Sequence, residues 1–250
     1  MDILIIILLI LGVIGLIQNP AGNGGALFLG AIALSAPYIV EWLKKKYFAP
    51  DLHIEYMHEP PYFRQTRPMG GLALYYSQFS VENKGKSQAK SCEAVLEELW
   101  LPSSKGKLVK EKNFLPVNLE WAIHHQQPDR SLIKSLFEDI NPERKKYCNI
   151  GHIRNLHDAT VKSVFYIGSR AREDHRFFFE ISPRPHAQPD CIFSGKSKIK
   201  IGIYADNAPK ITKNFIIQWS GKWEDKEEDM LKEFKIVVQG EQKDKGGEKG

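Results

Sequence analysis

Paired histidines beside an acidic residue form the first pattern in this chain that could do chemistry. His124 and His125 are adjacent, and Asp129 follows four residues later. Imidazole and carboxylate groups are metal ligands, but adjacent residues on a strand point to opposite faces. The two imidazoles could not easily share one metal ion, so we expect no metal site there.

A second histidine pair has a more suitable spacing. His152 and His157 lie five residues apart across a predicted turn, and Asp158 follows them. This spacing could bring two ligands together, but no cysteine or further carboxylate is spaced to complete a zinc site. The acidic and histidine residues at 173–175 have the composition of a turn. We expect hydrogen-bonded or solvent-exposed histidines and no bound metal.

The three cysteines are an odd number and are widely spaced. Cys92, Cys148 and Cys191 include no C-x-x-C pair. This usage is typical of a reducing compartment and argues against both a disulfide scaffold and a zinc cluster. Cys92 and Cys191 lie among apolar residues, which favours core thiols over nucleophiles.

Arginines interleaved with aromatic residues occur in two stretches. Such sets can hold a phosphate or stack on a base, while in a β-sandwich they are more often loop charges beside core aromatics. Both interpretations stay open. The weak candidates for binding an anionic ligand are Arg64, Arg67, Arg170, Arg172 and Arg176.

Several common catalytic and cofactor motifs are missing from the sequence. It contains no P-loop, G-x-G-x-x-G, H-E-x-x-H, G-x-S-x-G or EF-hand loop. We therefore expect no cofactor and no enzymatic activity. A hydrolase with an unrecognised site is the least favoured alternative.

The elements that must position these residues are short strands. Apolar and polar residues alternate over many segments separated by turns, which predicts an antiparallel β-sandwich rather than a nucleotide-binding α/β fold. We predict a bulge near residues 76–78, a polar loop over 124–146 and one or two helical turns over 223–231. The sandwich should cover residues 47–240, and the polar tail at 241–250 should be disordered. The predicted strands centre on 52–56, 71–83, 89–100, 115–121, 148–152, 161–167, 177–181, 199–203, 215–219 and 234–238.

Residues 79–100 carry a pattern seen elsewhere. Val81, Asn83, Gly85 and Ala89 form V-x-N-x-G-x3-A. The segment resembles a hairpin common in immunoglobulin-like β-sandwich modules of bacteria and archaea. The layout of the chain is similar to that of uncharacterised prokaryotic membrane-anchored proteins. The resemblance covers about 20 residues of the printed sequence and implies an immunoglobulin-like fold, in which this hairpin carries no catalytic residue.

The second half of that segment has an alternative. Leu96, Leu99 and Trp100 also fit the period of a short helix. The hairpin context favours a strand.

Residues 1–46 have a different character from the rest. The segments 3–17 and 26–40 are almost wholly apolar, and the intervening 18–25 is rich in Asn, Pro and Gly. A bilayer needs about 20 helical residues and can thin locally around shorter spans. We predict a transmembrane helical hairpin, favoured over a cleaved secretory signal or a buried soluble hairpin. Small residues in both segments would allow homo-oligomers through the hairpin.

Charge sets the expected orientation. No Lys or Arg precedes Lys44, and Lys45 and Lys46 follow it directly. Positive residues beside a span stay in the cytoplasm, so both termini should be cytoplasmic in a two-pass protein of the inner (plasma) membrane. Trp42 and Tyr47 are expected to anchor the interface with these lysines.

The sequence therefore predicts a membrane-anchored cytoplasmic recognition or adaptor protein that is not an enzyme. Its partner would be a protein or a small anionic ligand, besides the lipid bilayer. All 35 basic residues follow residue 43, against 28 of the 30 acidic ones, so the remainder carries about +7. The alternative is a ligand-sensing effector, in which the β-domain binds an anionic signal such as a nucleotide and the hairpins oligomerise to perturb the membrane.

Overall fold

The structure is a computed structural model that describes residues 10, 13–14, 17, 33, 36–44, 47–67, 73–122, 136–154, 176–182 and 189–239. The chain divides into two compact units. One comprises Met1–Ala49 with Gly85–Ser87, and the other Pro50–Lys84 with Gln88–Gly250.

In the first unit, every described residue between 10 and 44 is helical. Among the described residues, no helix has both the length and the apolar character needed to cross a bilayer. The predicted spans at 3–17 and 26–40 lie largely outside the described residues, so the transmembrane hairpin stays a prediction. The predicted strand at 161–167 and the tail at 241–250 also lie outside them.

The second unit is built from strands. In chain order the described elements are β1 (Leu52–Glu55), β2 (Phe63–Thr66), β3 (Leu74–Asn83), β4 (Ala89–Pro102), β5 (Leu108–Lys110), β6 (Val117–Leu119), β7 (Phe137–Ile140), β8 (Lys145–Arg154), β9 (Phe177–Phe179), β10 (Ile181–Ser182), β11 (Cys191–Ile192), β12 (Gly195–Ala205), β13 (Ala208–Trp219), α1 (Glu227–Glu233) and β14 (Phe234–Gln239).

The described strands form two antiparallel sheets that pack together. One has six strands in the order β1-β3-β8-β9-β11, with β2 also on β3; the other has eight in the order β10-β6-β4-β12-β13-β14, with β5 and β7 also on β4. Alternate residues of both sheets enter one shared apolar core. The predicted mainly-β, two-sheet architecture is confirmed.

Two long strands organise these sheets. On one edge of β3, the short strands β1 and β2 pair with its two halves, and β8 takes the other edge. On one edge of β4 lie β7, β6 and β5 in turn, and β12 takes the other. The strand interpretation of 89–100 is confirmed, as is the bulge, since the β3–β8 register shifts between Ser77 and Gln78.

The prediction of a hairpin at 79–100 is wrong, because the two strands do not pair with each other. Both strands exist, but β3 belongs to the six-stranded sheet and β4 to the eight-stranded one. The turn between them therefore crosses from one layer to the other. Asn83, at the crossing, is fully buried. Its side-chain Oδ1 accepts from the amide of Asp51 at 3.1 Å, and its Nδ2 donates to the carbonyl of Ile140 in β7 at 2.9 Å.

A second crossing divides the strand predicted at 177–181. β9 and β10 lie in different sheets, and the chain changes layer at Glu180. The amide of Glu180 donates to the carbonyl of Ile150, and the amide of Glu120 donates to the carbonyl of Glu180. Main-chain hydrogen bonds thus join the two sheets, which satisfies polar groups that would otherwise be buried without partners.

Two further expectations need correction. The polar loop predicted at 124–146 contains β7, which pairs with the start of β4. The strand predicted at 115–121 is shorter, because Leu115 is 69% exposed and β6 begins only at Val117. In both cases the local pattern of polar and apolar residues gave the wrong strand boundaries. The observed strands are the residues that pair with β4. The helical turns predicted near 223–231 are confirmed as α1, and the predicted final strand as β14.

Aromatic rings fill one end of the core. Phe63 stacks on Tyr75 with centroids 5.4 Å apart and on Phe234 at 5.2 Å, and Phe234 stacks on Phe177 at 5.2 Å. These residues come from β2, β3, β14 and β9, so the stack joins both sheets. Offset ring pairs add to the free energy gained from burial.

His58 lies half-buried against this stack, 5.3 Å from the Phe63 ring centre. Its Nε2 is 3.4 Å from the carbonyl of Leu231, which can only accept, so Nε2 carries the proton. Nδ1 then accepts from the Tyr56 hydroxyl at 3.1 Å. Burial lowers the pKa of His58 below its usual value of 6.5.

We expect Asn83→Ala to destabilise the full chain by about 2–4 kcal/mol, because it leaves the partly buried amide of Asp51 and the buried carbonyl of Ile140 without this partner. Chemical unfolding of the purified protein, followed by tryptophan fluorescence, measures this. Asn141→Ala is the matched control, since the Asn141 side chain is exposed and bonds only to the half-buried Gln88 side chain in the described chain. Equal losses in the two variants would contradict the role given to Asn83.

We expect protonation of His58 to destabilise the fold as the pH falls. The folded-state pKa lies below the unfolded one, so the unfolded state binds the proton more readily. Stability is therefore full above about pH 6.5 and declines as the pH falls through that value toward the lowered pKa. His58→Gln should flatten this part of the curve of unfolding midpoint against pH. If the unfolding midpoint of the variant fell with pH as steeply as that of the wild type, the role given to His58 would be refuted.

Candidate functional site

A transverse row of side chains crosses the outer face of the six-stranded sheet. Register pairs Arg64 with Tyr76, Tyr76 with His152, and His152 with Phe178. Successive strand residues point to opposite faces, so the row faces away from the core. The neighbours that point inward instead are Phe63, Tyr75, Ile153 and Phe177.

Arginines gather at one end of this face. β2 ends one residue before Arg67, β8 ends at Arg154, and Arg176 immediately precedes β9. Because β2 and β8 run in the same direction and β9 in the opposite one, these three termini meet at one end of the sheet. We call this set the arginine end; it comprises Arg64, Arg67, Arg154 and Arg176.

Arg154 and Arg176 are neighbours across two strands. Ile153 lies opposite Phe177, so one further step along the ladder places Arg154 opposite Arg176. Opposed residues of antiparallel strands have Cα atoms about 4.5–5.5 Å apart. The two arginines thus stand side by side at the end of the sheet. This arrangement favours binding of an anion between their guanidinium groups.

Each of these two arginines lies over an aromatic ring. The guanidinium carbon of Arg154 is 5.0 Å from the Phe178 ring centre, and that of Arg176 is 4.8 Å from the Phe193 ring centre. Arg154 Nε also donates to His152 Nε2 at 2.8 Å. Such stacking orients the plane of a guanidinium group. Arg64 and Arg176 form no ion pair with any carboxylate in the described part of the chain.

One carboxylate, that of Glu180, lies beside His152 on this face. Glu180 bonds to His152 Nδ1, and it stands four residues beyond Arg176 along the chain, about 13 Å for extended backbone. Burial raises the pKa of Tyr76 to about 12, and the neighbouring negative charge of Glu180 adds to this rise. The His152 ring therefore stands between the Glu180 carboxylate and the Arg154 guanidinium.

His152 is placed for structure rather than for proton transfer. It is 2% exposed, and both of its ring nitrogens are engaged. Because Nε2 accepts from Arg154, Nδ1 carries the proton and donates to Glu180. No ring nitrogen is left for a substrate or a metal.

The predictions about metals and thiols are tested only in part. No group of three or more His, Cys, Asp or Glu side chains that could hold a metal occurs among the described residues. His124, His125, Asp129, His157 and Asp158 lie outside them. Burial raises the pKa of Cys92 to about 12 and also raises the pKa values of Cys148 and Cys191. These thiols are poor nucleophiles at neutral pH.

Three of the predicted anion candidates border one sheet, and their binding of an anion stays a prediction. Arg64, Arg67 and Arg176 lie on the same sheet, and Arg170 and Arg172 fall outside the described residues. Arg154 was not among the predicted candidates, because no Phe, Tyr or Trp stands beside it in the chain. Only the sheet register brings Phe178 and Arg176 to it.

The predicted membrane-interface residues lie in the first unit. Trp42 and Tyr47 form an edge-to-face pair with centroids 6.5 Å apart, and Lys44 lies between them in the chain. Tyr47 is 53% exposed and Phe48 54%. Lys45 and Lys46 fall outside the described residues.

The outer face of the eight-stranded sheet carries another polar cluster. Glu97 lies at a shift of the β4–β12 register, and its Oε1 accepts from the Tyr204 hydroxyl at 2.6 Å and from Lys210 Nζ at 2.5 Å. Burial opposes its ionisation, but these two partners and Lys200 hold the pKa of Glu97 below its usual value. A Cβ at Gly202 would lie 2.3 Å from Oε1, so the glycine makes room for the carboxylate. The carboxylate of Glu97 is thus already bound by residues of its own sheet.

We expect Glu180→Ala to destabilise the fold by about 1–3 kcal/mol, because the buried Nδ1–H of His152 loses its acceptor. Glu180→Gln should lose less, since an amide oxygen can still accept. Chemical unfolding of the full chain measures both. The control is Arg64→Ala on the same face, an exposed change expected to cost no more than about 0.5 kcal/mol. If Glu180→Ala cost no more than this control, the structural role of the pair would be wrong.

Comparisons with known proteins add no relative. No protein-family model matches this chain, and neither does any curated protein. The resemblance at Val81, Asn83, Gly85 and Ala89 therefore depends on those residues alone. Function has to be argued from the side chains that the fold brings together.

Proposed function

We propose that this chain is a membrane-tethered recognition protein whose β-rich unit presents the arginine end as its binding surface. The observation that carries the membrane part is the exposure of apolar helical side chains in the first unit. Ile10 is 52% exposed, Ile17 72% and Val40 48%. Helices of water-soluble domains bury such residues in a core, whereas lipid accommodates them without cost.

Aromatic and basic residues follow the apolar helical stretch in the order expected at a membrane interface. Trp42, Lys44, Tyr47 and Phe48 come directly after Val40. Trp and Tyr prefer the headgroup region, and lysines beside a span are retained on the cytoplasmic side. This supports a cytoplasmic location for the β-rich unit at the inner (plasma) membrane.

Recognition is favoured over catalysis by how the polar groups are used. His152 has both nitrogens engaged, and Glu97 is held by two lysines and a tyrosine. These groups stabilise the outer faces of the sheets and leave little capacity for proton transfer. The guanidinium groups of Arg64 and Arg176 have no such carboxylate partner in the described chain and remain available for a ligand.

The arginine end also favours the ligand-sensing effector as a second candidate. A basic surface flanked by aromatic rings suits a small anionic signal better than it suits an apolar protein partner. In that version, binding at the β-rich unit would control oligomers formed by the predicted hairpin. The immunoglobulin-like assignment of the β-rich unit is part of this proposal. The antiparallel two-sheet architecture supports it.

We expect the full chain to sediment with membranes and to resist extraction at alkaline pH. The double variant Ile10→Arg with Ile14→Arg should shift a large fraction out of the membrane pellet, because each central arginine costs about 2.5–3.5 kcal/mol on insertion. The control pair is Val109→Arg with Leu115→Arg, two residues that are 52% and 69% exposed on the β-rich unit. A wild-type chain that stayed in solution without detergent would refute the tether.

A further inference from the structure

We infer that the arginine end binds a nucleoside phosphate, with the phosphate between Arg154 and Arg176 and the base against Phe193. This deepens the recognition function proposed above by naming the ligand class of that surface.

Charge points to a phosphate at these two arginines. Arg154 ends β8 and Arg176 immediately precedes β9, so the two stand one position beyond the last pair of the ladder. The Glu180 carboxylate lies on the other side of the His152 ring from Arg154. Paired guanidinium groups match the oxygens of a phosphate with parallel N–H donors. The surface therefore offers one region of concentrated positive charge.

The β2 side of the arginine end is less suited to the phosphate. The Glu227 carboxylate accepts from the amide of Gln65 at 3.5 Å, and the carbonyl of Asp225 accepts from the side chain of Gln65 at 3.3 Å. Acidic residues before and within α1 thus lie along the strand that carries Arg64. Negative charge there directs an anion toward Arg154 and Arg176.

The rings supply the preference for a base. Phe178 is covered by Arg154, and it also lies 5.7 Å from the His152 ring. Phe193 is 48% exposed and has Arg176 over its ring. A planar base can stack on accessible ring surface or on the stacked guanidinium, and each such contact contributes binding energy that bare phosphate lacks.

Phe193 and Arg176 are also close enough to serve one ligand. They are the next pair after Ile192 and Phe177 on the β11–β9 ladder, so they are direct cross-strand neighbours. Arg154 stands one strand further, at the usual spacing of about 4.8 Å. A base and its phosphate span more than one strand spacing, so one nucleotide could contact all three residues.

The test is equilibrium binding to the purified full chain in detergent, with ATP and tripolyphosphate as separate probes. ATP should bind more tightly than tripolyphosphate. Arg176→Ala should weaken the binding of ATP about tenfold or more, because a charge-assisted contact is lost. Phe193→Leu should weaken ATP about fivefold or more while leaving tripolyphosphate unchanged.

The matched control is Lys198→Ala. Lys198 lies 4.4 Å from the Trp100 ring centre on the outer face of the other sheet, so it is also a cation stacked on an aromatic ring. This variant should bind ATP as the wild type does. Arg64→Ala replaces Arg176→Ala if the latter unfolds, and it should weaken ATP less but measurably.

Four results would overturn the inference. The first three are no binding of ATP, equal affinity for ATP and tripolyphosphate, and an equal loss of ATP affinity in Lys198→Ala and Arg176→Ala. The fourth is that the chain binds no ATP in detergent and binds only to vesicles that contain phosphatidic acid. The last result would assign the surface to a lipid headgroup instead. Since the assay is done in detergent, failure here leaves the membrane fractionation result standing, and the two proposals fail separately.

Discussion

Pairing of buried main-chain polar groups where the chain passes between the two sheets is the constraint on which this structure depends. A strand that leaves one sheet loses its ladder partners, and an unpaired buried amide or carbonyl costs about as much as several good contacts contribute. Asn83 meets this need at one crossing with its side-chain amide, which bonds to the backbone beside β1 and to β7. At the other crossing, backbone bonds through Glu120 and Glu180 do the same.

The second crossing also shapes the outer face. At this crossing the amide of Glu180 donates to the carbonyl of Ile150, and its carboxylate bonds to His152 Nδ1. His152 is thereby oriented to accept from Arg154, and Arg154 is laid over Phe178. On this face the His152 ring thus separates the Glu180 carboxylate from the Arg154 guanidinium. The proposed ligand surface is a consequence of that separation.

The two proposals draw on different units and on different physics. The tether depends on transfer of apolar side chains such as Ile17 into lipid and would operate whatever the β-rich unit binds. The ligand surface depends on guanidinium geometry and on the ring of Phe193, at a sheet end whose charge is intrinsic to the β-rich unit. A module of this kind would bring the recognition of a soluble anion to a membrane surface.

The sequence by itself determined the strands with clean alternation, such as β12, together with the bulge near Ser77 and the two-sheet class, because burial of alternate residues is a local pattern. It also indicated Arg64, Arg67 and Arg176 as basic residues near aromatics. It did not reveal that residues 79–100 cross between sheets, that 177–181 is two strands, or that Arg154 joins the candidate surface. Those outcomes depend on which strands pair and in which register. Pairing brings together residues that are far apart in the chain, and no local sequence pattern encodes it.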